Sequence, residues 1–320
     1  MTVRVYRSTD ASAPSLTGNN GSLITLLDAC LVNGYGTFTS SGWTKPYTGT
    51  NVASYQMPSG NLRWFRIDDS VGLYARIVGY ENMTDVNTGT NPFPTPAQQS
   101  GGGYIIKSTN TSTPIPWVLV ATETMVYLWI NYTNELKNVI PAHMYCFGDI
   151  LSYMAGDNYN TVLIAQTSSS STLCSMSSVV LNYTSASTGS WICRSYNGVI
   201  GAVAVGKSVD RAKNDNTTAI GAPSVNIRQY VTSTPSLVNQ SITFTPIMIY
   251  EPAITSTPFI ARGMLPGLWN LNNSNVNIFR YNQNSGPTIS ITSGINTGKV
   301  FELITCGNYG VVWIETSNTW

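Results

Sequence analysis

Hydrophobic positions in this chain fall in short runs of roughly four to eight residues, the length expected of strands and too short for most helices. Such runs cover Leu62 to Ile67, Gly72 to Val78, Tyr104 to Lys107, Trp117 to Ala121, Met125 to Asn131 and Val162 to Gln166. Further along they cover Val179 to Tyr183, Val199 to Val205, Ile242 to Tyr250, Val300 to Thr305 and Val311 to Glu315. Val, Ile, Tyr and Trp dominate them, and those side chains suit a pleated, half-buried surface. Gly, Pro, Asn and Ser clusters separate them, as in sandwiches and barrels. The pattern predicts a mainly β, antiparallel, sandwich- or barrel-like architecture.

One segment breaks the rule. Ser22 to Asn33 places Leu23, Leu26, Leu27 and Leu31 on one side at helical spacing, with Ile24 or Cys30 widening the face. Ser22 is the expected N-cap, and Gly34 supplies the left-handed closing residue. A single short N-terminal helix, packed on the core, is predicted over 22–33.

Loops are predicted where Pro and Gly crowd together. Asn87 to Gly103 carries three prolines and ends in three consecutive glycines, which argues against a place inside a sheet. Lys207 to Asn216 is the densest charge cluster and reads as an exposed loop or short helix. The Ser-rich run Thr167 to Thr172 marks a candidate boundary between a β-rich portion 1–165 and a second, 173–320, unless both form one domain. No fixed-period repeat or heptad segment appears, so propellers, solenoids and coiled-coil trimers are not expected.

Composition sharpens this picture. Only 10% of the 320 residues are charged, against about 25% in ordinary soluble domains. Hydroxyls and amides must therefore hydrate the surface, and neutral groups cost less than charges to strip of water at an interface. A net charge of +1 provides no field to attract nucleic acid or an anionic membrane. No apolar run approaches the roughly 20 residues that cross a bilayer as a helix. The N-terminal stretch lacks the apolar core of a secretory signal, which implies cytoplasmic synthesis. The Asn-x-Ser/Thr triplets at Asn82, Asn110, Asn131, Asn182 and Asn216 then reflect composition rather than glycosylation.

Candidate chemistry is sparse. Cys30, Cys146, Cys174, Cys193 and Cys306 form an odd set with no paired spacing, which predicts reduced, mostly buried thiols and no zinc site. His143 is the only histidine and lies three positions from Cys146, so a Cys/His nucleophile pair is conceivable, although the flanking residues match no hydrolase signature. Asp68 and Asp69 are adjacent, and Asp149 and Asp157 lie eight positions apart, each after a glycine. Paired carboxylates can serve a glycosidase; aspartates in these contexts more often bond to nearby backbone in turns. Phosphate-binding loops, dinucleotide fingerprints and zinc-protease or serine-hydrolase motifs are absent from the sequence. No cofactor or metal is expected. Of the eight tryptophans, Trp64, Trp117, Trp129 and Trp313 fall in strand patterns and suit sheet-core packing better than sugar binding.

Several segments together resemble tailed-bacteriophage virion structural proteins. These are Ala13 to Leu23, Asn33 to Gly36 and Gly42 to Thr44, then Arg66 to Ser70, Gly79 to Pro94 and Phe147 to Tyr159, and finally Ala261 to Trp269 and Val311 to Trp320. The resemblance spans nearly the whole chain and implies a non-enzymatic virion role without fixing a position in the particle. The expected partners are further copies of the chain and other capsid, neck or tail proteins, with no nucleic acid or membrane. Decoration, collar or fibre-base subunits fit best. A tail or baseplate component that reads host glycans is the alternative, and a glycan depolymerase using Asp68, Asp69, Asp149 or Asp157 is a third. The aromatic positions Trp269, Trp313 and Trp320 are candidate assembly contacts, although the closing segment can equally complete the parent sheet.

Overall fold

A computed structural model describes residues 1–131, 143–169, 189–202, 205–208, 244–251, 260–271, 288–292, 297–305 and 311–320. Among these residues 47% are strand and 6% helical, and every strand pairing is antiparallel. The chain is therefore mainly β, as its hydrophobic pattern predicts.

Three sheets stack as layers. The middle one orders six strands as Arg4–Arg7, Trp117–Ala121, Met125–Ile130, His143–Asp149, Thr161–Ile164 and Ser190–Ile192. On one side lies a five-stranded sheet of Thr44–Gly49, Val52–Gln56, Trp64–Asp68, Tyr74–Tyr80 and Gly103–Ile106. On the other side lies a sheet ordered Val205–Ser208, Phe244–Glu251, Ile260–Leu271, Val311–Glu315, Val300–Thr305 and Thr288–Ser290, with Leu151–Ser152 added against Ile260–Leu271.

The middle layer explains why its strands read as unbroken apolar runs. Successive side chains of a strand point to opposite faces, and here both faces are covered. Leu119, Val126, Leu128, Tyr145, Phe147 and Leu163 face the five-stranded sheet and share a core with Phe65, Ile67 and Ile77. Their neighbours Val118, Val120, Tyr127, Trp129, Met144, Cys146 and Val162 face the other layer and pack with Ile247, Ile249, Leu268 and Ile314. Burial on both faces is more familiar in parallel sheets, where it produces the same continuous apolar pattern.

The helix forms where the leucine spacing places it, but in two parts. Ser22–Leu27 is α-helical and Asp28–Asn33 widens into a π-helix closed at Gly34, whose φ of 79° is left-handed. Leu23, Leu26, Leu27, Cys30 and Leu31 are buried in the first core. The cap differs from the expectation. Gly21 occupies the N-cap with φ 78° and Ser22 turns its hydroxyl to the Thr17 carbonyl, 2.6 Å away. The free helix amides are met from a distance: Asp69 Oδ2 accepts from Leu23 N at 2.8 Å and Ile24 N at 3.4 Å. A remote carboxylate thus performs the role assigned to a local serine.

Other differences have local causes. Within Asn87 to Gly103, Gly89–Thr90 pairs with Asn82–Met83, and Gly103 opens a strand of the five-stranded sheet. The longest strand, Ile260–Leu271, has no counterpart among the predicted runs because Gly263, Pro266 and Gly267 interrupt its hydrophobic pattern. It accommodates them through a register shift: its pairing with Phe244–Glu251 moves from Met264 to Trp269 while the partner advances only from Met248 to Pro246. The Pro266 carbonyl, freed from the ladder there, accepts from the buried Tyr127 hydroxyl at 2.8 Å. Of the described residues in the run Val199 to Val205, Val199 and Ile200 lie outside named strands, Ile200 making one isolated bridge to Arg194, while Val205 enters a strand; residues 203–204 lie outside the described residues. Val179 to Tyr183, Cys174, Cys306, Asn182 and Asn216 lie outside the described residues. So do residues 170–172 of the Ser-rich run; beyond it, Ser190–Ile192 joins the same sheet as Thr161–Ile164. Lys207 and Ser208 belong to a strand, and the rest of that charged cluster lies outside the described residues.

The closing segment folds back onto its own chain. Trp320 packs edge-on to Tyr127 with ring centroids 5.7 Å apart and donates its indole N–H to the Glu315 carbonyl at 2.7 Å. Beneath the indole is Gly267, with φ 66°, where a methyl group would overlap the ring. Gly267→Ala combines that overlap with left-handed strain, so a loss of more than about 1 kcal/mol is expected. Urea unfolding followed by tryptophan emission measures it, and an unchanged midpoint would contradict this packing.

Candidate functional site

Each aspartate considered for catalysis is committed to a structural contact, although Asp149 and Asp157 are close enough to interact electrostatically. Asp69 is fully buried; besides the helix amides it holds the Lys107 ammonium, itself fully buried and also bonded to the Asn19 carbonyl at 2.8 Å. Burial raises the Asp69 carboxyl despite the opposing effects of Lys107 and the helix amides. Asp68 forms a turn, accepting from Ser70 N at 3.3 Å, and pairs with Arg66 at 3.2 Å. Burial pushes its carboxyl up, but the Ser70 bonds and Arg66 outweigh that, so it lies below the ordinary range. Asp149 is enclosed by Asn61 and Thr161, accepting from Asn61 N at 2.8 Å, and burial raises it. Asp157 accepts from Tyr159 N at 3.0 Å within its turn and pairs with Arg262 at 2.8 Å. Each has a structural task of the kind expected of aspartates near turns.

His143 and Cys146 sit on one strand of the middle sheet three positions apart, so their side chains leave opposite faces. His143 stacks on Tyr145 with centroids 6.0 Å apart, and Cys146 packs in the other core with Met144. Strand geometry therefore separates the two side chains and leaves His143 as a buried histidine. Gln166 Nε2 lies 2.7 Å from His143 Nδ1, and burial lowers the imidazole from 6.5 to about 3. It is neutral at physiological pH. Cys30, Cys146 and Cys193 are buried free thiols, and burial raises all three. Among the described residues no group of three or more His, Cys, Asp or Glu is arranged to hold a metal ion.

The tryptophans predicted for sheet cores are all buried: Trp64, Trp117, Trp129 and Trp313. Of the candidate assembly contacts, Trp313 is fully enclosed and faces Trp269 across the ladder, while Trp269 and Trp320 are half-buried.

No known protein family and no curated protein matches this chain.

Two features that sequence reasoning missed stand out in the geometry. The first is an ion network around Arg262, whose guanidinium is fully buried. It binds Asp157, Glu251 and the Arg194 carbonyl, and Arg194 in turn pairs with Glu81 at the end of a strand in the five-stranded sheet. All three layers are thus tied together at one end. At another edge Arg7 of the middle sheet holds Glu302 of the outer sheet through two parallel bonds. The first network carries two loops. Tyr153 N donates to the Arg262 carbonyl at 2.9 Å, and Arg194 reaches the Gly198 carbonyl at 3.1 Å. These loops expose Tyr153, Met154, Tyr196, Val199 and Ile200, each at least 39% accessible. Together they supply most of the large apolar side chains left exposed among the described residues.

The second feature is an open pocket of about 520 Å³ between residues 15–25 and the hairpin 45–53. Ser, Thr, Asn and Gly dominate its lining, with Ile24, Val52 and Ala53 as an apolar strip and Lys45 as its one charged group. Its two walls are joined through Asp69: Gly21 N donates to the Asp69 carbonyl at 3.0 Å and Asp69 N to the Asn51 carbonyl at 2.8 Å, so the buried Asp69–Lys107 pair lies beneath both walls.

Proposed function

We propose that this protein is a non-enzymatic structural subunit of a tailed-phage virion, bound to capsid or neck as a decoration, collar or fibre-base protein. The observation that carries the reading is the pair of apolar loops around Tyr153 and Tyr196, held on a buried ion network. Large apolar side chains on a rigid support desolvate cheaply and lose little entropy on docking. The neutral hydroxyl and amide surface supports the same reading, because such groups re-pair across an interface more readily than charges. Partners in this reading are other virion proteins and copies of the chain, assembled after synthesis in the host cytoplasm. The aspartates, each engaged in capping, turns or ion pairs, lend no support to a depolymerase.

Mass spectrometry of density-purified particles tests the proposal. The chain is expected at a copy number set by capsid or neck symmetry, and its absence from washed particles would remove the reading. Antibody labelling at the tail tip would favour the tail or baseplate alternative, to which the polar pocket gives some weight.

A further inference from the structure

The pocket between residues 15–25 and 45–53 plays no part in docking through the apolar loops, yet its chemistry is selective. Several lining groups are already committed: Ser22 donates to the Thr17 carbonyl, Thr25 to the Gly21 carbonyl and Asn20 to the Ser70 carbonyl. Four are not. Among the described residues, the hydroxyls of the exposed Ser15 and Thr48 and the side-chain amides of the exposed Asn19 and half-buried Asn51 have no hydrogen-bond partner. Hydroxyls and amides both donate and accept. Four such groups beside a narrow apolar strip match a ligand that alternates hydroxyls with C–H surface.

Charge narrows the choice. Lys45, the only ionic group in the lining, is paired with Asp28 at 2.5 Å. The pocket therefore presents no free cation to a phosphate, sulfate or carboxylate. A peptide added as an extra strand is also disfavoured. The wall Thr44–Gly49 is an edge strand, but Pro46 lacks an N–H and the strand is irregular in register between Thr44 and Tyr47. The volume lies within the roughly 300–1,000 Å³ usual for small-molecule sites, but the polar lining is unlike that of apolar cofactor pockets.

We propose that this pocket binds a neutral saccharide unit through Ser15, Asn19, Thr48 and Asn51, with the sugar's C–H face against Ile24 and Val52. The ligand class is an uncharged hexose or N-acetylhexosamine, free or as part of a surface glycan. The inference holds wherever the protein sits in a particle. It also relocates sugar recognition from tryptophans, which are largely interior here, to amides and hydroxyls.

Saturation-transfer NMR on the full chain tests it with glucose, galactose, mannose, N-acetylglucosamine, maltose and lactose as probes, and glucuronic and N-acetylneuraminic acids as charged comparators. At least one neutral sugar should receive saturation, and neither acid should displace it. The Asn19→Ala, Thr48→Ala double variant removes two exposed side chains without hydrogen-bond partners among the described residues, so its fold, checked by circular dichroism, should persist. Its affinity should fall about tenfold, the loss expected from two neutral hydrogen bonds. No transfer to any neutral sugar, preference for the acids, or transfer unchanged in the variant would overturn the proposal. Particle mass spectrometry decides the virion reading separately, so the two can fail independently.

Discussion

Replacing Arg262 with alanine should destabilise the fold by about 3–5 kcal/mol, because it leaves two carboxylates in the interior without their cation. The Arg262 guanidinium is fully buried between Asp157 and Glu251, whose side chains are only 3% and 8% exposed. Glu251 already feels that burial, which raises its carboxyl although Arg262 opposes the shift. Arg262→Met, of similar length, should be nearly as harmful while the acids remain. Combining it with Asp157→Asn and Glu251→Gln should recover much of the loss, since the unpaired charges are then gone. Equilibrium urea unfolding of the three variants supplies the comparison. If the single substitution cost less than about 1 kcal/mol, in the range of exposed pairs, the network would not be the brace described here.

Mild acid should also weaken the protein, through His143. Its folded-state value of about 3 lies below the ordinary 6.5, because burial disfavours the charged ring. Between those values the unfolded chain binds more protons than the folded one. The stabilising contribution is therefore complete above pH 6.5 and is lost as pH falls towards 3, at up to about 1.4 kcal/mol per unit. Asp69, Asp149 and Glu251 act in the opposite sense, since burial raises all three and protonation then favours the folded state. Comparing wild type with His143→Gln isolates the imidazole. Between pH 6 and 5 the wild type should lose stability more steeply than the variant, by about 1 kcal/mol per unit. Parallel profiles would mean that the ring is not buried neutral.

The fold class was legible because its signal is local. Trp117 to Ala121 and Met125 to Ile130 are apolar at every position, and the two-sided burial of the middle sheet accounts for that. The helix was legible from its leucines alone. What escaped depends on residues far apart in sequence. Asp69 caps a helix 46 positions away, and Asp157 meets Arg262 across 105. Nothing near either aspartate in sequence distinguishes a remote cap or a buried ion pair from an ordinary turn. The strand His143–Asp149 was obscured by the very residues that suggested chemistry, a histidine, a cysteine and a Gly-Asp pair. The pocket was hidden for a related reason: its walls belong to separate segments, each of which reads alone as a polar loop.

The ends of the described chain lie side by side. Val3 N donates to the Asn318 carbonyl at 2.9 Å, and Trp320 N to the Met1 carbonyl at 3.3 Å. A short Gly/Ser bridge could therefore join residue 320 to residue 1 without crossing the molecule, and circular permutation becomes an accessible route for engineering. Reporter domains fused at residues 1 and 320 would emerge from one spot on the surface.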